Sequence, residues 1–431
     1  MQTLAIPPGP AEGIDLGGSE ETLAHLAAFF TRYGDVYRVF APGRGVYDYV
    51  INHPDDIKHV LLTNHRNYTK GVGMDRVKIL LGNGIMTSEG DFWRRQRRMM
   101  QPAFHRRIID RFARLIEEVN AKFAQRWAEQ AHRGEPVDVS DDTSELTLEI
   151  VLRSIFGEDL ARLERQLGAN PFEVVAKDQN RDLKFAFRFR SLAKLVGELI
   201  ERRRREGATH EDFLAMLMAA RDRDNVTAMT DKELIDEVLT LIVAGHETTA
   251  AALTWTWYLV SQHPDTSAQL EEEADRTSAD VLPLSAAEGL AFTHQVLEEA
   301  LRLYPPGWLF TRRSIEADEL GGYPIGPRTD VFISPYVLHR HPAFWSEPER
   351  FRPERFAGID AKERHRFAYI PFSVGPRHCI GENMAMFEML VHLNRMTRRF
   401  RLARVSAKPI EFEAQINLRP RSNLLMTIEE R

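Results

Sequence analysis

Cysteine is nearly absent from this chain, which has one in 431 residues. A single thiol cannot form an internal disulfide, so a disulfide-stabilised secreted scaffold is excluded and a reducing cytoplasm is the expected location. An excess of positive charge is also missing, since the net charge is -6, and this argues against a general nucleic-acid-binding protein. With 43% hydrophobic and 28% charged residues, the chain is neither disordered nor of low complexity. These absences leave a globular protein of the size of an enzyme.

Targeting and membrane segments are the next features to test. The first ten residues carry neither a basic cluster nor a long apolar run, so we expect no signal peptide and no membrane anchor. The segment from Val238 to Val260 is apolar and long enough to cross a bilayer. However, Glu247 lies near its middle, where an ionised side chain costs about 2.5–3.5 kcal/mol in lipid. We therefore expect a long helix through a protein core and no membrane span.

The pattern along the chain predicts a mainly α protein with a smaller β part. No linker rich in Gly, Ser or Pro divides it, so residues 1–431 are expected to form one domain. A β-hairpin is predicted from Asp35–Phe40 and Gly45–Ile51, and a β-like tail follows the last helix. Helices are predicted at Asp91–His105, Arg106–Ala131, Asp141–Phe156, Thr293–Leu303 and Gly381–Arg399, with a long helix between the capping box Thr230–Glu233 and Pro264.

The only cysteine, Cys379, lies in the segment Phe372-Ser-Val-Gly375-Pro-Arg377-His-Cys379-Ile-Gly381. A free cysteine is most often a small buried hydrophobic residue. Here the glycines allow a tight loop, while Arg377 and the start of the following helix place positive charge near the sulfur. Such a thiolate is either a nucleophile or a soft metal ligand. Since a Gly-rich loop with a nearby cation suits an axial thiolate ligand to haem iron, the second reading is favoured.

This segment resembles the haem-binding loop of the cytochrome P450 family, matching Phe-x-x-Gly-x-Arg-x-Cys-x-Gly at every fixed position. The resemblance extends from about Tyr33 to about Pro420, with further motifs in the family's order. It implies the cytochrome P450 fold, with a long central helix over haem b and a proximal cysteine loop. Cys379 would then ligate the iron and Arg377 would pair with a haem propionate, within a cradle formed by Phe372, Gly375 and Gly381.

A second motif, Glu299-Ala-Leu-Arg302, places an acid and a base three residues apart on one helix face. Alone it predicts an ordinary surface ion pair of well under ~1 kcal/mol. In the family, an arginine from a later loop joins this pair and braces the haem loop. Arg355, in Pro353-Glu-Arg355-Phe356, matches that arginine, so the resemblance implies a buried structural network of three residues.

A third motif, Ala244-Gly245-His246-Glu247-Thr248-Thr249, lies in the middle of the long helix. Without a function it would be a helix that tolerates a glycine and threonine hydroxyls bonded to its own backbone. It resembles the family's acid–alcohol pair, in which Glu247 relays protons from solvent and Thr248 holds the oxygen ligand. The presence of both residues favours a monooxygenase that uses O2. Gly245 is expected to open room for the diatomic ligand.

The segment Trp93-Arg94-Arg95-Gln-Arg97-Arg98 predicts a basic helix, which would normally be a solvated face. In the family, residues at the places of Trp93 and Arg97 contact a haem propionate, and Arg313 matches another propionate partner. Arg312 leaves the register of that last match open. The other arginines form a patch that we expect to steer an acidic redox partner.

The resemblance also implies how electrons arrive. We expect no reductase domain and no membrane anchor, as in the soluble bacterial members. Electrons would come from NAD(P)H through a separate reductase and a ferredoxin or flavodoxin-type partner. The protein is expected to be a cytoplasmic monomer that binds no nucleic acid.

Substrate specificity belongs to the least predictable loops. The residues that match pocket segments of the family are all apolar, which favours a lipophilic substrate: a fatty acid, terpenoid, steroid or polyketide that is hydroxylated or epoxidised. The chain looks closer to the fatty-acid and terpenoid-type members. The candidate pocket residues, each of which also fits plain core packing, are Met86, Leu241, Ala244, Trp308, Leu309, Phe310 and Ile416.

Three other functions remain open from the residues alone. The first is peroxygenase, dehydration or hydroperoxide-rearranging chemistry on the same scaffold. The second is a helical binding or scaffold protein with an inert Cys379, which would contain no haem. The third is a cysteine hydrolase with Cys379 as nucleophile and a histidine as base.

Overall fold

A computed structural model of the chain describes residues 6–17, 19–177, 183–207, 210–224, 226–277 and 279–431. The chain divides into two compact units, each assembled from separate stretches of sequence. The first unit comprises Met1–Met74, Gln295–Cys379 and Pro409–Ser422. The second comprises Asp75–His294, Ile380–Lys408 and Asn423–Arg431.

Helices make up most of the described residues. In chain order they are α1 (Thr22–Tyr33), α2 (Pro54–Lys58), α3 (Met74–Leu81), α4 (Gly90–Met100), α5 (Arg106–Ile109), α6 (Ala113–Arg133), α7 (Val139–Phe156), α8 (Glu158–Leu167), α9 (Glu173–Lys177), α10 (Leu183–Glu206), α11 (Phe213–Ala219), α12 (Asp231–Val260), α13 (Pro264–Asp275), α14 (Leu284–Ala287), α15 (Ala291–Leu303), α16 (Pro335–Leu338), α17 (Gly358–Glu363) and α18 (Glu382–Arg399). The strands are β1 (Val36–Ala41), β2 (Val46–Ile51), β3 (Tyr68–Lys70), β4 (Val137–Asp138), β5 (Phe310–Ser314), β6 (Asp318–Leu320), β7 (Tyr323–Ile325), β8 (Asp330–Ile333), β9 (Phe400–Arg404), β10 (Phe412–Ala414), β11 (Leu418–Pro420) and β12 (Leu425–Glu430).

The first unit is built around a five-stranded sheet with the order β1-β2-β8-β5-β3. The pairs β1–β2, β8–β5 and β5–β3 are antiparallel, whereas β2 and β8 run parallel. Two apolar clusters pack in this unit, one containing Ile51, Val331 and Ile370 and the other containing Tyr37 and Phe332. Because β5 and β8 follow α15, the sheet fixes the chain after the predicted Glu299–Arg302 motif.

The second unit is mainly helical, and α12 is its longest helix. Thr230 caps α12 through a reciprocal capping box with Glu233, and α7 packs along it. An aromatic cluster of Trp127, Trp257 and His392 is fully buried in this unit, with the two tryptophan ring centroids 6.0 Å apart. None of the helices in the described residues is long and apolar enough to cross a membrane.

Most of the predicted elements are confirmed, with shifts at their ends. The hairpin β1–β2 and the helices α7, α12, α15 and α18 lie where the pattern predicts them. The prediction of a single basic helix over Asp91–His105 is wrong at its end, because α4 stops at Met100. Pro102 then opens a 3-10 turn, since proline has no N–H for a continuing helix. The following helix is divided into α5 and α6.

The loop between α3 and α4 is tied to the first turns of α12. Two adjacent carboxylates of α12 accept backbone N–H groups of this loop: Asp236 from Asn83 at 2.9 Å and Glu237 from Ile85 at 2.8 Å. The approach is so close that a Cβ on Gly84 would lie 2.3 Å from the hydroxyl oxygen of Thr240. The loop that carries Met86 is therefore held through its own backbone N–H groups, and this attachment does not depend on its side chains.

Glu237 carries an unusual charge state for a glutamate. Its side chain has no exposed surface, and only Oε2 has a hydrogen-bond partner among the described residues. Burial raises the pKa of Glu237 to about 8, and the neighbouring Asp236 and Glu233 carboxylates add to the effect. At neutral pH the side chain is therefore mainly protonated, and its carbonyl oxygen accepts the N–H of Ile85.

This buried acid predicts a pH-dependent stability that Glu237→Gln removes. The pKa is about 8 in the folded chain against 4.5 for an unperturbed glutamate, so between these values only the unfolded chain loses its proton. In that window the free energy of unfolding falls as pH rises, by up to about 1.4 kcal/mol per pH unit from this group. Glutamine keeps an acceptor for Ile85 and cannot ionise, so its dependence should be weaker.

Urea unfolding of both proteins at about pH 5.5, 7 and 8 measures the difference, because that range lies inside the titration window. The wild-type protein should lose stability relative to the glutamine variant as pH rises. Parallel profiles for the two proteins would contradict a protonated Glu237.

Candidate functional site

The segment around Cys379 forms a closed loop in the first unit. The N–H of Cys379 donates to the carbonyl oxygen of Phe372 at 2.9 Å, which joins the two ends of the loop. Between them, Gly375–Arg377 form a 3-10 turn, closed by the N–H of His378 on the carbonyl of Gly375. Cys379 is exposed and forms no disulfide, whereas the rest of the loop is half-buried. The loop therefore presents its one thiol outward from a fixed backbone.

Two residues of the loop have a left-handed backbone. Gly375 has φ 76°, and a Cβ there would lie 2.1 Å from the carbonyl oxygen of Leu61. Both the conformation and the lack of space require glycine at this position. Ser373 has φ 61° and is one of the few non-glycine residues with a positive φ in the described chain. Such strain is kept where the surrounding structure over-determines it, which is common at functional sites.

The three residues of the predicted network meet in the first unit. Glu299 and Arg302 have no exposed surface, and Arg355 is 2% exposed. Arg302 binds both oxygens of Glu299, at 2.7 and 2.8 Å, and Arg355 binds Oε1 at 2.9 Å. The pair is thus a fully buried, bidentate ion pair with a second guanidinium, far from the ordinary surface pair that the spacing alone suggests.

One carboxylate and two guanidiniums leave an excess positive charge in the network. Backbone carbonyls take up the remaining N–H groups: Arg302 donates to the carbonyls of His339 and Pro348, and Arg355 to those of Ser346 and Arg350. The backbone N–H of Arg352 adds a further bond to Glu299. The network therefore fixes the backbone of residues 346–352, because each of these carbonyls would lose its partner if the segment moved.

The acid and alcohol of α12 lie on a half-buried stripe in the second unit. Ala244 is exposed although most of α12 around it is buried, and Glu247 and Thr248 are half-buried. Residues three and four apart share one face of a helix, so these three side chains lie on the same partly exposed face of α12. The hydroxyl of Thr248 donates to the carbonyl of Ala244 at 2.8 Å, which leaves its oxygen lone pairs directed away from the helix axis.

The other side of this helical turn packs against α7. His246 is buried and lies 2.9 Å from the hydroxyl of Ser144, and Thr249 is buried beside it. A Cβ on Gly245 would lie 3.0 Å from a methyl group of Val151 on α7. The glycine thus allows the two helices to approach closely, and the expectation that it opens room for a diatomic ligand stays a prediction.

Most of the arginines of the basic helix α4 form ion pairs with carboxylates. Trp93 is buried and Arg97 half-buried, one helical turn apart on the same face. Of the remaining arginines, Arg94 pairs with Asp91 on α4, Arg95 with Glu233 on α12, and Arg98 with Asp222. The patch that the sequence suggests is therefore partly neutralised, by Asp91 on the same helix and by two acids that lie far away along the chain.

Arg312 and Arg313, between which the sequence does not decide, are neighbours on strand β5. Arg313 is bound to Asp330 through two hydrogen bonds of 3.0 and 2.7 Å, and Arg44 binds the same carboxylate. Successive side chains of a strand point to opposite faces, so Arg312 lies on the other face of β5.

The predicted pocket residues differ in their exposure and in what they pack against. In the second unit, Met86 is half-buried, Leu241 is 9% exposed, and Ala244 is exposed on the half-buried stripe of α12. In the first unit, the buried Trp308 packs in an apolar core cluster, and its indole N–H donates to the carbonyl of Gln415. Core packing explains Trp308 without a substrate.

The other three apolar candidates lie in the first unit as well. Leu309 and Phe310 are half-buried and pack against core clusters, whereas Ile416 is 49% exposed in the turn between β10 and β11.

Gly381 is the last fixed position of the cysteine-loop motif. It is the N-cap of α18, and its carbonyl accepts the N–H of Ala385.

Sequence reasoning missed two sets of residues that hold predicted site residues or their loops in place. The carboxylates of Asp236 and Glu237 hold the loop of Met86, and His339 links the Glu299 network to the residues before Phe372. The signal for Glu237 was an acid within an apolar helical stretch. For His339 it was a polar residue directly after the apolar run Tyr336–Leu338.

Comparison with known proteins agrees with these features. Residues 11–427 match the model of the cytochrome P450 family. Cyclooctatin synthase of Streptomyces melanosporofaciens is 35% identical over 95% of this chain and 92% of its own length. Cyclooctat-9-en-7-ol 5-monooxygenase of the same organism is 32% identical, covering 89% of this chain and 88% of the relative. Pentalenene oxygenase of Streptomyces avermitilis is 31% identical, covering 88% and 86%.

The fold has a close counterpart among solved structures. The crystal structure of the cytochrome P450DA haem domain superposes with a TM-score of 0.87, covering 99% of this chain and 98% of that one at 24% identity. A likeness at this identity establishes the fold, and the family follows from the match over nearly the whole sequence. The chain belongs to the cytochrome P450 family of haem-dependent monooxygenases.

Proposed function

We propose that this protein is a monooxygenase in which Cys379 supplies the thiolate ligand of the haem iron. The observation that carries the proposal is the loop itself: the one cysteine of the chain stands exposed at the closed end of a loop whose glycine admits no side chain. A nucleophilic cysteine would need a base oriented toward it. The tight, braced backbone instead suits a ligand whose position must be fixed.

The residues present fit a haem in several ways. The thiol is exposed, and the hydroxyl of Ser373 is buried without a hydrogen-bond partner among the described residues. In the second unit, Ala244 is exposed while the rest of residues 234–260 of α12 are buried or half-buried, as expected for a position that faces a bound group. When bound, a thiolate-ligated haem supplies the iron at which O2 is activated.

Within this proposal, Glu247 and Thr248 handle protons. Thr248 donates its own proton to the carbonyl of Ala244, so its oxygen is left as an acceptor toward the open stripe. A hydroxyl fixed in this way would accept a hydrogen bond from a water molecule or another O–H donor on that face of α12. The half-buried Glu247, one residue earlier, is exposed enough to exchange protons with solvent and pass them to that position.

The cations that would hold the propionates are Arg377, Arg97 with Trp93, and one arginine of β5. Of the two candidates on β5 we now propose Arg312 in place of Arg313. The carboxylate of Asp330 already binds the Arg313 guanidinium through two hydrogen bonds. A second anion at that guanidinium would have to compete with this buried acid.

We propose that both compact units belong to one haem domain, since the family match runs through both without interruption. A single cysteine that forms no disulfide suits a reducing compartment such as the cytoplasm. A peroxygenase on the same scaffold is the second candidate.

For the substrate, we propose an unsaturated terpenoid hydrocarbon or alcohol, hydroxylated or epoxidised. The names of the relatives refer to pentalenene and to cyclooctat-9-en-7-ol. Of the predicted pocket residues in the second unit, Met86 is half-buried, Ala244 is exposed, and Leu241 lies one turn before Ala244 on the same face of α12. All three are apolar and suit such a compound.

For the electron donor, we propose an acidic ferredoxin or flavodoxin-type protein that docks beside the end of α4. A cleft of about 900 Å³ in the second unit is lined by Arg97, Arg98, His105, Arg106 and Arg107. Arg98 and Arg106 are paired with Asp222 and Glu288, but Arg107 is exposed and forms no ion pair among the described residues. This cluster is therefore a better candidate than Arg94 and Arg95 for steering a negatively charged partner.

The proposal predicts a specific absorption band. Dithionite-reduced protein exposed to carbon monoxide should show a Soret band near about 450 nm, because a thiolate ligand is electron-rich. Cys379→Ser should abolish this band. Since no other cysteine exists in the chain, a 450 nm band in the serine variant would refute the assignment, as would wild-type protein without haem.

Thr248→Ala tests the proton-handling role. We expect the variant to keep the 450 nm band while the product formed per NAD(P)H oxidised falls on the order of tenfold or more, as expected for a lost proton-transfer partner. The control is Thr249→Ala, which removes the neighbouring hydroxyl on the buried side of α12. The assay uses pentalenene or another terpene that shifts the spin state of the wild-type protein. Turnover with hydrogen peroxide that is unaffected by Thr248→Ala would favour the peroxygenase.

Arg107→Glu tests the docking cluster. We expect it to slow reduction by an acidic ferredoxin on the order of tenfold at low ionic strength and much less above about 0.3 M salt, where exposed charges are screened. Arg205→Glu, at the exposed end of α10, makes the same change in net charge and is the control. Stopped-flow reduction under carbon monoxide measures both rates. Equal slowing by the two variants would exclude a local docking site.

A further inference from the structure

His339 occupies a fully buried position between the Glu299 network and the cysteine loop. It follows α16 directly, and its side chain has no exposed surface. Its Nδ1 lies 3.3 Å from the carbonyl oxygen of Arg302, and its Nε2 accepts the backbone N–H of Ile370 at 2.9 Å. Its own carbonyl accepts a hydrogen bond from the Arg302 guanidinium at 2.9 Å. One residue thus binds both the network and the chain that leads into the loop.

The two partners of the imidazole determine its protonation. The N–H of Ile370 can only donate, so Nε2 must carry a lone pair, and the carbonyl of Arg302 can only accept, so Nδ1 must carry the proton. His339 is therefore neutral with its proton on Nδ1. Burial, together with the positive charge of Arg302, lowers the pKa of His339 well below its usual range, which agrees with this state.

Ile370 transmits this contact to the cysteine loop. It lies two residues before Phe372, and its carbonyl accepts the N–H of the strained Ser373 at 3.0 Å. Phe372 in turn accepts the N–H of Cys379. The ring of Tyr369, the residue before Ile370, packs against the ring of His339 with the two centroids 5.2 Å apart. A continuous series of hydrogen bonds thus leads from Arg302 through His339 to the base of the loop.

We propose that His339 is a positioning residue that couples the Glu299–Arg302–Arg355 network to the loop of Cys379 and so fixes where the thiol stands. This inference rests on the proposed role of Cys379 as the haem ligand. The acceptor at Nε2 is the essential group, because without it the buried N–H of Ile370 has no partner and the start of the loop is released.

A pair of amide variants separates the two hydrogen bonds of the imidazole. In His339→Gln the longer side chain places its carbonyl oxygen near the position of Nε2, so the acceptor for Ile370 is kept. In His339→Asn the shorter amide keeps a donor near Nδ1 toward Arg302 but does not reach Ile370. If the link to the loop matters, the glutamine variant should resemble the wild-type protein and the asparagine variant should not.

His392 provides a matched control. It is equally buried, and it too has Nε2 accepting, from the indole N–H of Trp257, while Nδ1 faces the side-chain oxygen of Asn120. It lies in the second unit and none of its hydrogen bonds involves the cysteine loop. His392→Asn should therefore lower the melting temperature as His339→Asn does, and leave the loop unchanged.

The first readout is the rate at which iodoacetamide alkylates Cys379 in protein freed of haem, which needs no haem chemistry. We expect an increase on the order of tenfold in His339→Asn, the scale of one lost buried hydrogen bond, and rates near wild type in His339→Gln and His392→Asn. The second readout is the ratio of the 450 to the 420 nm band of the carbon monoxide complex, which should fall only in His339→Asn.

The outcomes distinguish this inference from the proposed function. If the wild-type protein gives the 450 nm band and all four proteins share its alkylation rate and band ratio, the coupling by His339 is overturned while the haem-thiolate assignment stands. If none of the four proteins, the wild type included, binds haem, the assignment falls, and the alkylation rates still decide the coupling. Changes that merely follow the melting temperature, with His392→Asn included, would also overturn it.

Discussion

The buried carboxylate of Glu299 is the constraint on which the rest of the first unit depends. It is fully desolvated and held by two guanidiniums, and such a charge is stable only while its partners stay in place. The cost of leaving any one of them unpaired fixes the backbone of residues 346–352 around it. Through His339 the same constraint reaches Ile370 and the cysteine loop. A rigid thiol position is thus maintained by a polar network rather than by apolar packing alone.

The second unit uses another device for a similar purpose. Loop residues 82–88 have no regular structure of their own, and carboxylates of α12 hold their backbone N–H groups. Because one of these carboxyls is protonated at neutral pH, a neutral hydrogen bond replaces a buried charge. The helix that supplies Glu247 and Thr248 therefore also determines where Met86 lies. The residues proposed to handle protons and the residue proposed to contact substrate are thus positioned by the same helix, which suits an enzyme that must keep both in register.

Prediction from the sequence succeeded where the relevant information is contiguous. The loop from Phe372 to Gly381 forms one short motif, and the ends of α12 are marked by a capping box and by Pro264. Prediction failed where a local signal was weak or was overridden. Pro102 divides a helix that the charge pattern made continuous, and no local signal indicated that Gly245 packs against Val151. The resemblance supplied the grouping of Arg355 with Glu299 and Arg302, which spacing alone did not give.

The sequence by itself determined the family and the mainly helical class, and it identified the one candidate thiolate and the candidate acid–alcohol pair, because each is encoded in neighbouring residues or in the periodicity of a single element. Only the tertiary structure decided which arginine of β5 is bound by Asp330, which arginines near α4 are neutralised, and that Glu237 and His339 are neutral. These properties depend on distance and desolvation among residues remote in the chain. Folding sets both quantities, and no local pattern encodes them.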